Sequence, residues 1–222
     1  VMRKAGELGF LGIAVPEEYG GLGMGFVSTM LVCEYISGCT GSLSTAFGAH
    51  TGIGTMPIVF YGTEEQKQKY VPKLASGEHF GSYCLTEPTA GSDANSGKTK
   101  AVLSEDGTHY KISGQKIWIS NAGFANIFIV FARIEDDKNI TGFIVPNEPN
   151  NGISLGEEEN KLGIHSSSTR QVFFDNTKVP IENMLSERGN GFKIALNSLN
   201  VGRIKLAAAC LDALKRVTSL GV

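Results

Sequence analysis

The hydrophobic period of the chain changes twice, and those changes constrain its architecture more than any other feature. From residue 1 to about 78 apolar residues recur at helical spacing; in "FVSTMLVCEYISG", Met30, Leu31, Cys33 and Ile36 give a wide apolar face. "LSTAFGAHTGIGTMPIVFYG" reads as a second helix, rich in small residues, that Pro57 kinks or restarts. "TEEQKQKYVPKLASG" opens a third, with Thr63 as N-cap, Gln66 three residues on, and Glu64 and Glu65 in the first turn. From about 79 to 185 short apolar runs are bounded by turn residues. "HFGSYCLT", "GKTKAVLS", "HYKISGQKIWIS", "NIFIVFARI", "ITGFIVP", "GISLGE" and "RQVFFDNTKVP" read as seven strands, with "EDG" and "NNG" as turns. From about 188 a long helix carries Phe192, Ala195, Leu196, Leu199, Leu206, Cys210, Leu214 and Val217 at three- and four-residue spacing.

The expected architecture is therefore α+β and multidomain. It has a helical N-terminal part (1–78), a middle antiparallel β-barrel or sandwich (79–186) and the first helix of a C-terminal helical bundle (187–222). Strands do not alternate with helices and no GxGxxG follows a strand, which disfavours a Rossmann nucleotide site. One helix cannot bury its own stripe, so further helices are expected against the last one, and the chain reads as cut at both ends.

With 20 basic and 22 acidic residues the chain has no basic field for nucleic acid. No apolar run reaches the roughly 18 to 20 residues that cross a bilayer, and no targeting segment is visible. Four scattered cysteines without a CxxC pair fit a reduced compartment: the cytoplasm of a bacterium or the mitochondrial matrix of a eukaryote. Cys33 and Cys210 are expected as buried thiols. The four histidines are dispersed, so no metal site is expected. "GGLGMG" lacks the Lys–Ser/Thr ending of a phosphate loop and reads as an interhelix loop, "RGNGF" as a turn into the last helix, and "GEEEN" and "IEDD" as solvated faces. No Ser–His–Asp order or cysteine nucleophile is evident.

Two polar motifs stand out. In "YCLTEPTAGSD", residues 83–93, a strand runs into Thr86, Pro88, Gly91, Ser92 and Asp93. Such a stretch is either a surface turn or an anion-binding concavity in which glycine admits close approach of the backbone. In "GQKIWISNAG", residues 114–123, the only tryptophan, Trp118, precedes Ile119, Ser120 and Asn121. It is either a core tryptophan or an aromatic edge beside a flat ring, with Ser120 as hydrogen-bond donor.

Taken in order, these motifs resemble those of the acyl-CoA dehydrogenase family. "GFIVP", "KLGIHSSSTRQVFFDNTKVPIENML", "GNGFKIALNSLNVGR", "LGFLGIAVPEEYGGLGMG" and "YGTEEQKQKYVPKLASGE" extend the resemblance over nearly the whole chain. Thr89 stands where the family signature carries a small residue, often glycine. The resemblance implies a helical domain, a middle β-domain and a four-helix bundle, with FAD between the last two, in a dimer or tetramer. It implies that Tyr83, Cys84, Leu85, Thr86, Gly91 and Ser92 line the flavin, and that Trp118, Ile119 and Ser120 flank its ring. Ser92, Asn200, Arg203, Gly48 and Ala49 would meet a fatty acyl-CoA.

The implied reaction is dehydrogenation of that thioester to a trans-2-enoyl-CoA, with electrons passed to an electron-transferring flavoprotein docked on the helical domain. A Glu of the bundle serves the family as base; some members place it immediately before the arginine matching Arg203, where this sequence has Gly202. The base is accordingly expected outside these residues, no catalytic residue is assigned within them, and the chain alone is expected to be inactive. Small residues at Gly48 and Ala49, with the "GAH" stretch, imply a long or very long acyl chain. An acyl-CoA oxidase or a non-catalytic acyl-CoA-binding module on the same scaffold are the alternatives.

Overall fold

The structure, a computed structural model, describes residues 1–222. The helical part comprises α1 (Met2–Glu7), α2 (Phe26–Cys39), α3 (Gly41–Gly48), a π-helical segment (Ala49–Gly54), α4 (Met56–Tyr61) and α5 (Glu64–Ser76). The stretch expected as one kinked helix is thus three pieces, and Pro57 sits in the first turn of α4, where its missing N–H costs nothing. The capping box of α5 is complete: Thr63 Oγ1 accepts from Gln66 N at 3.3 Å and Gln66 Oε1 accepts from Thr63 N at 3.0 Å.

The seven expected strands all form: β1 (Gly81–Cys84), β2 (Lys100–Leu103), β3 (His109–Ser120), β4 (Ile127–Ile134), β5 (Thr141–Pro146), β6 (Ile153–Glu158) and β7 (Thr169–Pro180). A two-residue β8 (Met184–Leu185) adds to β5. The sheet runs β6-β7-β3-β2-β4-β5-β8, with β1 also on β4. It is mixed rather than wholly antiparallel, because β1 and β2 both pair parallel with β4. They do so in tandem on one edge: β1 covers Ile127 to Val130, and β2 covers Arg133 and Ile134. Between them, residues 85–99 leave the sheet and return one step further along the same edge.

Two cores result. Phe128, Val130, Phe143, Val145 and Val172 fill one side of the sheet, with Cys84 among them. Ile127, Ile129, Phe131 and Ile144 face the other way and pack with Ile58, Val71 and Leu74 of the helices and Ile194 and Ala195 of the last helix, α6 (Gly191–Gly221). The alternation of β4 therefore reads into two apolar layers, and the strand looks continuously hydrophobic in sequence for that reason. Helices and sheet come into close contact at Gly54 and Gly81, where a Cβ on Gly54 would lie 2.7 Å from the Gly81 carbonyl carbon. His50 seals this junction, accepting from Gly81 N at 3.0 Å through Nδ1 and donating to the Leu74 carbonyl at 3.0 Å through Nε2.

Along α6 one face is buried, through Ile194, Ala195, Ser198, Lys205 and Ala208, and the other leaves Leu206, Leu211, Leu214 and Val217 exposed. Cys210 falls on that exposed side, contrary to its expected burial, because the inner face of the helix is set by its packing on α2 and the π-helical segment. Cys33 is buried as expected, at the α2–α6 contact. "GGLGMG" connects a 3-10 turn to α2, and no helix is long and apolar enough to cross a membrane.

A candidate cofactor and substrate cleft

The excursion from β1 to β2 is organised by one carboxylate. Glu87 accepts from Lys98 N at 2.6 Å and from Thr99 N at 3.1 Å, while its own N–H and carbonyl close a tight turn with Ala90. Burial works to raise its pKa, but the Lys116 ammonium and these N–H donors outweigh that effect and hold the carboxyl below its usual range. Lys116 reaches across from β3, fully buried, donating to Glu87 Oε1 at 2.7 Å, to the Phe131 carbonyl at 2.7 Å and to the Leu85 carbonyl at 3.1 Å. Phe131 lies where the β4 edge passes from β1 to β2, so the ammonium supplies a donor that neither strand supplies there. Burial lowers the Lys116 pKa and Glu87 opposes that; with three oxygen acceptors around the amine, the pair is ionised.

The turn held in this way presents Thr86, Gly91 and Ser92 to a cavity of about 340 Å³. Tyr83 and Leu85 line it from β1, while Cys84, between them, points to the opposite face of the sheet. By the period of two, Cys84 can meet the cleft only through its backbone: its thiol is in the sheet core, where burial pushes its pKa up. Tyr83 ties the strand to α6 by donating to the Ala195 carbonyl at 3.1 Å.

The third wall comes from a β-bulge. Lys116 pairs with Val172 and Ile119 with Arg170, so β3 holds one residue more than β7 there. The extra residue lets both Lys116 and Ile119 turn inward and pushes Trp118 out, with φ +56° and its surface 64% exposed. A tryptophan with positive φ is strained, and this one gains no burial in return. The alternative of a core tryptophan is thereby removed. Asn121, also at positive φ, fixes the end of the strand by donating through Nδ2 to the Ala46 carbonyl at 2.9 Å. Ser120 is left between two cavities.

The second cavity, about 370 Å³, lies between α2, α3, the π-helical segment and α6. Ala49, Ile53, Ser120, Leu199 and Arg203 line both cavities, which therefore adjoin. Gly48 lines the inner cavity and Gly91 the outer, and a Cβ at either would meet no atom within 4 Å. Asn200 lines neither; it is exposed, and its Oδ1 accepts from Arg203 at 2.7 Å, so its visible part is to orient that guanidinium. No carboxylate lines either cavity.

Of the sequence-expected residues, Tyr83, Leu85, Thr86, Gly91, Ser92, Trp118, Ile119, Ser120, Gly48, Ala49 and Arg203 come together, and Cys84 and Asn200 stand apart. Sequence reasoning missed Glu87 and Lys116, which hold the turn, and Ile53, Leu199 and Lys205, which line the walls. The alternation of β3 carried a signal for Lys116, a charged residue in phase with the inward Tyr110 and Ile112. Lys205 likewise interrupts the buried face of α6.

Comparison with known proteins shows the family and the fold. The model of the acyl-CoA dehydrogenase N-terminal domain matches residues 1–78, and that of the middle domain matches residues 82–177. A probable acyl-CoA dehydrogenase of Bacillus subtilis is 54% identical over 99% of this chain and 36% of its own length. The very long-chain specific mitochondrial acyl-CoA dehydrogenase of Rattus norvegicus is 43% identical over 97% of this chain and 34% of its own. The chain thus spans about a third of these relatives. A crystal structure of a Bacillus anthracis acyl-CoA dehydrogenase complexed with FAD superposes with a TM-score of 0.94 at 48% identity, covering 97% of this chain and 37% of that one.

Proposed function

The chain belongs to the acyl-CoA dehydrogenase family, and from that premise we propose that its cleft holds FAD and a fatty acyl-CoA for α,β-dehydrogenation. The observation that carries the proposal is the meeting of Thr86, Gly91 and Ser92 with a strained, exposed Trp118 and with Ser120 around one cavity that opens onto a second. The residues fit a flavin: Gly91 leaves open space where a side chain would stand, and Trp118 offers an uncovered aromatic face. FAD, when bound, supplies the hydride acceptor for the β-carbon.

This chain's residues bind and orient. Thr86 and Ser120 offer hydroxyls to the ring edge, Ser92 and the open turn at Gly91 face the phosphates or the thioester, and Trp118 excludes water from one side of the ring. Arg203, oriented by Asn200, stands at the passage between the cavities and meets the acyl-CoA. The α-proton is taken by a carboxylate from beyond these residues, since none lines either cavity. Alone, the chain binds without turning over.

The acyl chain occupies the inner cavity. Gly48, Ala49 and Gly202 keep its walls thin, which favours long chains, each buried methylene contributing about 0.8 kcal/mol. Electrons leave to an electron-transferring flavoprotein, and the complete enzyme is a homo-oligomer. The division at residues 78 and 186 separates the parts that meet in the cleft.

The test is anaerobic. Palmitoyl-CoA added to a chain extended to the length of the relatives should bleach the visible flavin absorbance, and the 222-residue chain with FAD should not bleach. Bleaching by the short chain would place a base within it; no bleaching by the extended chain would reject the dehydrogenase reading.

A further inference from the structure

Lys205 is only 5% exposed on α6 and lines the inner cavity, and its amine contacts one residue, donating to the Thr51 carbonyl at 3.2 Å and to Thr51 Oγ1 at 3.3 Å. It forms no ion pair. The titratable groups that sense its charge are Cys33 and His50, both neutral: burial raises the thiol's pKa and lowers that of the imidazole to about 4. The nearest acidic residue in sequence to Cys33 is Glu34, and it pairs with Lys215 further along α6.

Of the other polar groups, Ser120 and Arg203 stand where the two cavities adjoin, and the hydroxyls of Ser37, Ser44 and Thr45 are already committed. Ser44 and Ser37 hydroxyls lie 2.6 Å apart, and Ser37 donates on to the Cys33 carbonyl at 2.6 Å, so Ser44 must donate to Ser37. Thr45 donates to the Gly41 carbonyl at 2.9 Å. Burial without a facing carboxylate lowers the Lys205 pKa; of the three donors the protonated amine has, two are used here, at long range, on a single residue. In an apolar cavity such a group favours any ligand that brings it an oxygen.

We infer that Lys205 is a specificity-determining residue, and that the inner cavity selects acyl chains bearing an oxygen acceptor, a hydroxyl or carboxylate, over plain alkyl chains that reach the same depth. This rests on the proposed binding of acyl-CoA in the cleft. A plain chain leaves the amine with Thr51 alone, whereas an oxygenated chain completes its hydrogen bonding and, as a carboxylate, neutralises it.

The test uses the flavin-loaded enzyme extended to the relatives' length and a set of acyl-CoA thioesters of equal chain length: palmitoyl-CoA, a series with one hydroxyl moved along the chain, and the chain ending in a carboxylate. The reading is the ratio of kcat/KM for each oxygenated thioester to that for palmitoyl-CoA. At least one ratio should reach or exceed one in the wild type and fall about ten-fold or more in Lys205→Met, as loss of a hydrogen bond to a charged group requires. Thr51→Val, which removes one competing acceptor and keeps the ammonium, should raise the same ratio and serves if Lys205→Met does not fold. Ratios well below one at every position in the wild type, or a ratio equal in wild type and variants, would overturn the assignment. If palmitoyl-CoA itself is not oxidised, the dehydrogenase reading fails separately; the ratios are then taken from calorimetric binding of the same thioesters and decide the role of Lys205.

Discussion

Lys116 Nζ and Glu87 Oε1 lie 2.7 Å apart in the sheet interior, and this pair joins the β4 edge to the turn that faces the cleft. Removing the cation alone strands a buried carboxylate. Lys116→Met should therefore cost about 3–5 kcal/mol, read as a lowered urea midpoint. The double variant with Glu87→Gln should be less unstable than the sum of the singles by 1 kcal/mol or more. Additive losses would mean that the two residues do not act together. Because the folded carboxyl sits below its unfolded pKa, the stability it contributes is complete above the unfolded value and is lost as pH falls through the folded one.

His50 gives a second, separable acid response. Burial holds its pKa at about 4 against an ordinary 6.5, and its two hydrogen bonds require the neutral ring. The unfolded chain therefore takes up a proton first on acidification. Stability contributed by His50 is complete above pH 6.5 and declines by about 3 kcal/mol as pH falls to about 4. Denaturant titrations across that interval should show the slope in the wild type and a reduced slope in His50→Gln.

Gly48 tests chain length. A side chain there grows into the inner cavity, since nothing stands within 4 Å of its Cβ position. In the extended, flavin-loaded enzyme, Gly48→Leu should lower kcat/KM for palmitoyl-CoA at least ten-fold, by excluding two or more methylenes at about 0.8 kcal/mol each. Butyryl-CoA should be affected much less. Equal losses for both would argue that the chain does not run past Gly48.

Much of this was legible in the sequence, for physical reasons. The seven strands are marked by β-branched runs between turn residues, and the α5 cap is written in Thr63 and Gln66, a local signal that needs no tertiary information. The nearness of the two polar motifs was implied by the family resemblance alone, since no local signal links a turn after β1 to a stretch within β3. The parallel pairing of β1 and β2 with β4 was not legible, since it depends on a non-local choice of edge. The motif read as a unit does not show that the Cys84 side chain faces away from its neighbours, because alternate residues of a strand face opposite ways. Trp118 could not be decided until the bulge opposite Val172 and Arg170 was known. Lys205 was passed over because a helix stripe is defined by its apolar members.

Trp118 is the only tryptophan of the chain, so its emission reports on this cleft alone. The most direct test of a flavin site is therefore to titrate the chain with FAD while following tryptophan fluorescence, with retention of FAD measured alongside by equilibrium dialysis. Saturable quenching that tracks retained FAD is the predicted result, and Trp118→Ala should weaken retention by about 1 kcal/mol, several-fold in Kd, without lowering stability. FAD retained with Trp118 emission unchanged would place the flavin elsewhere and contradict the account.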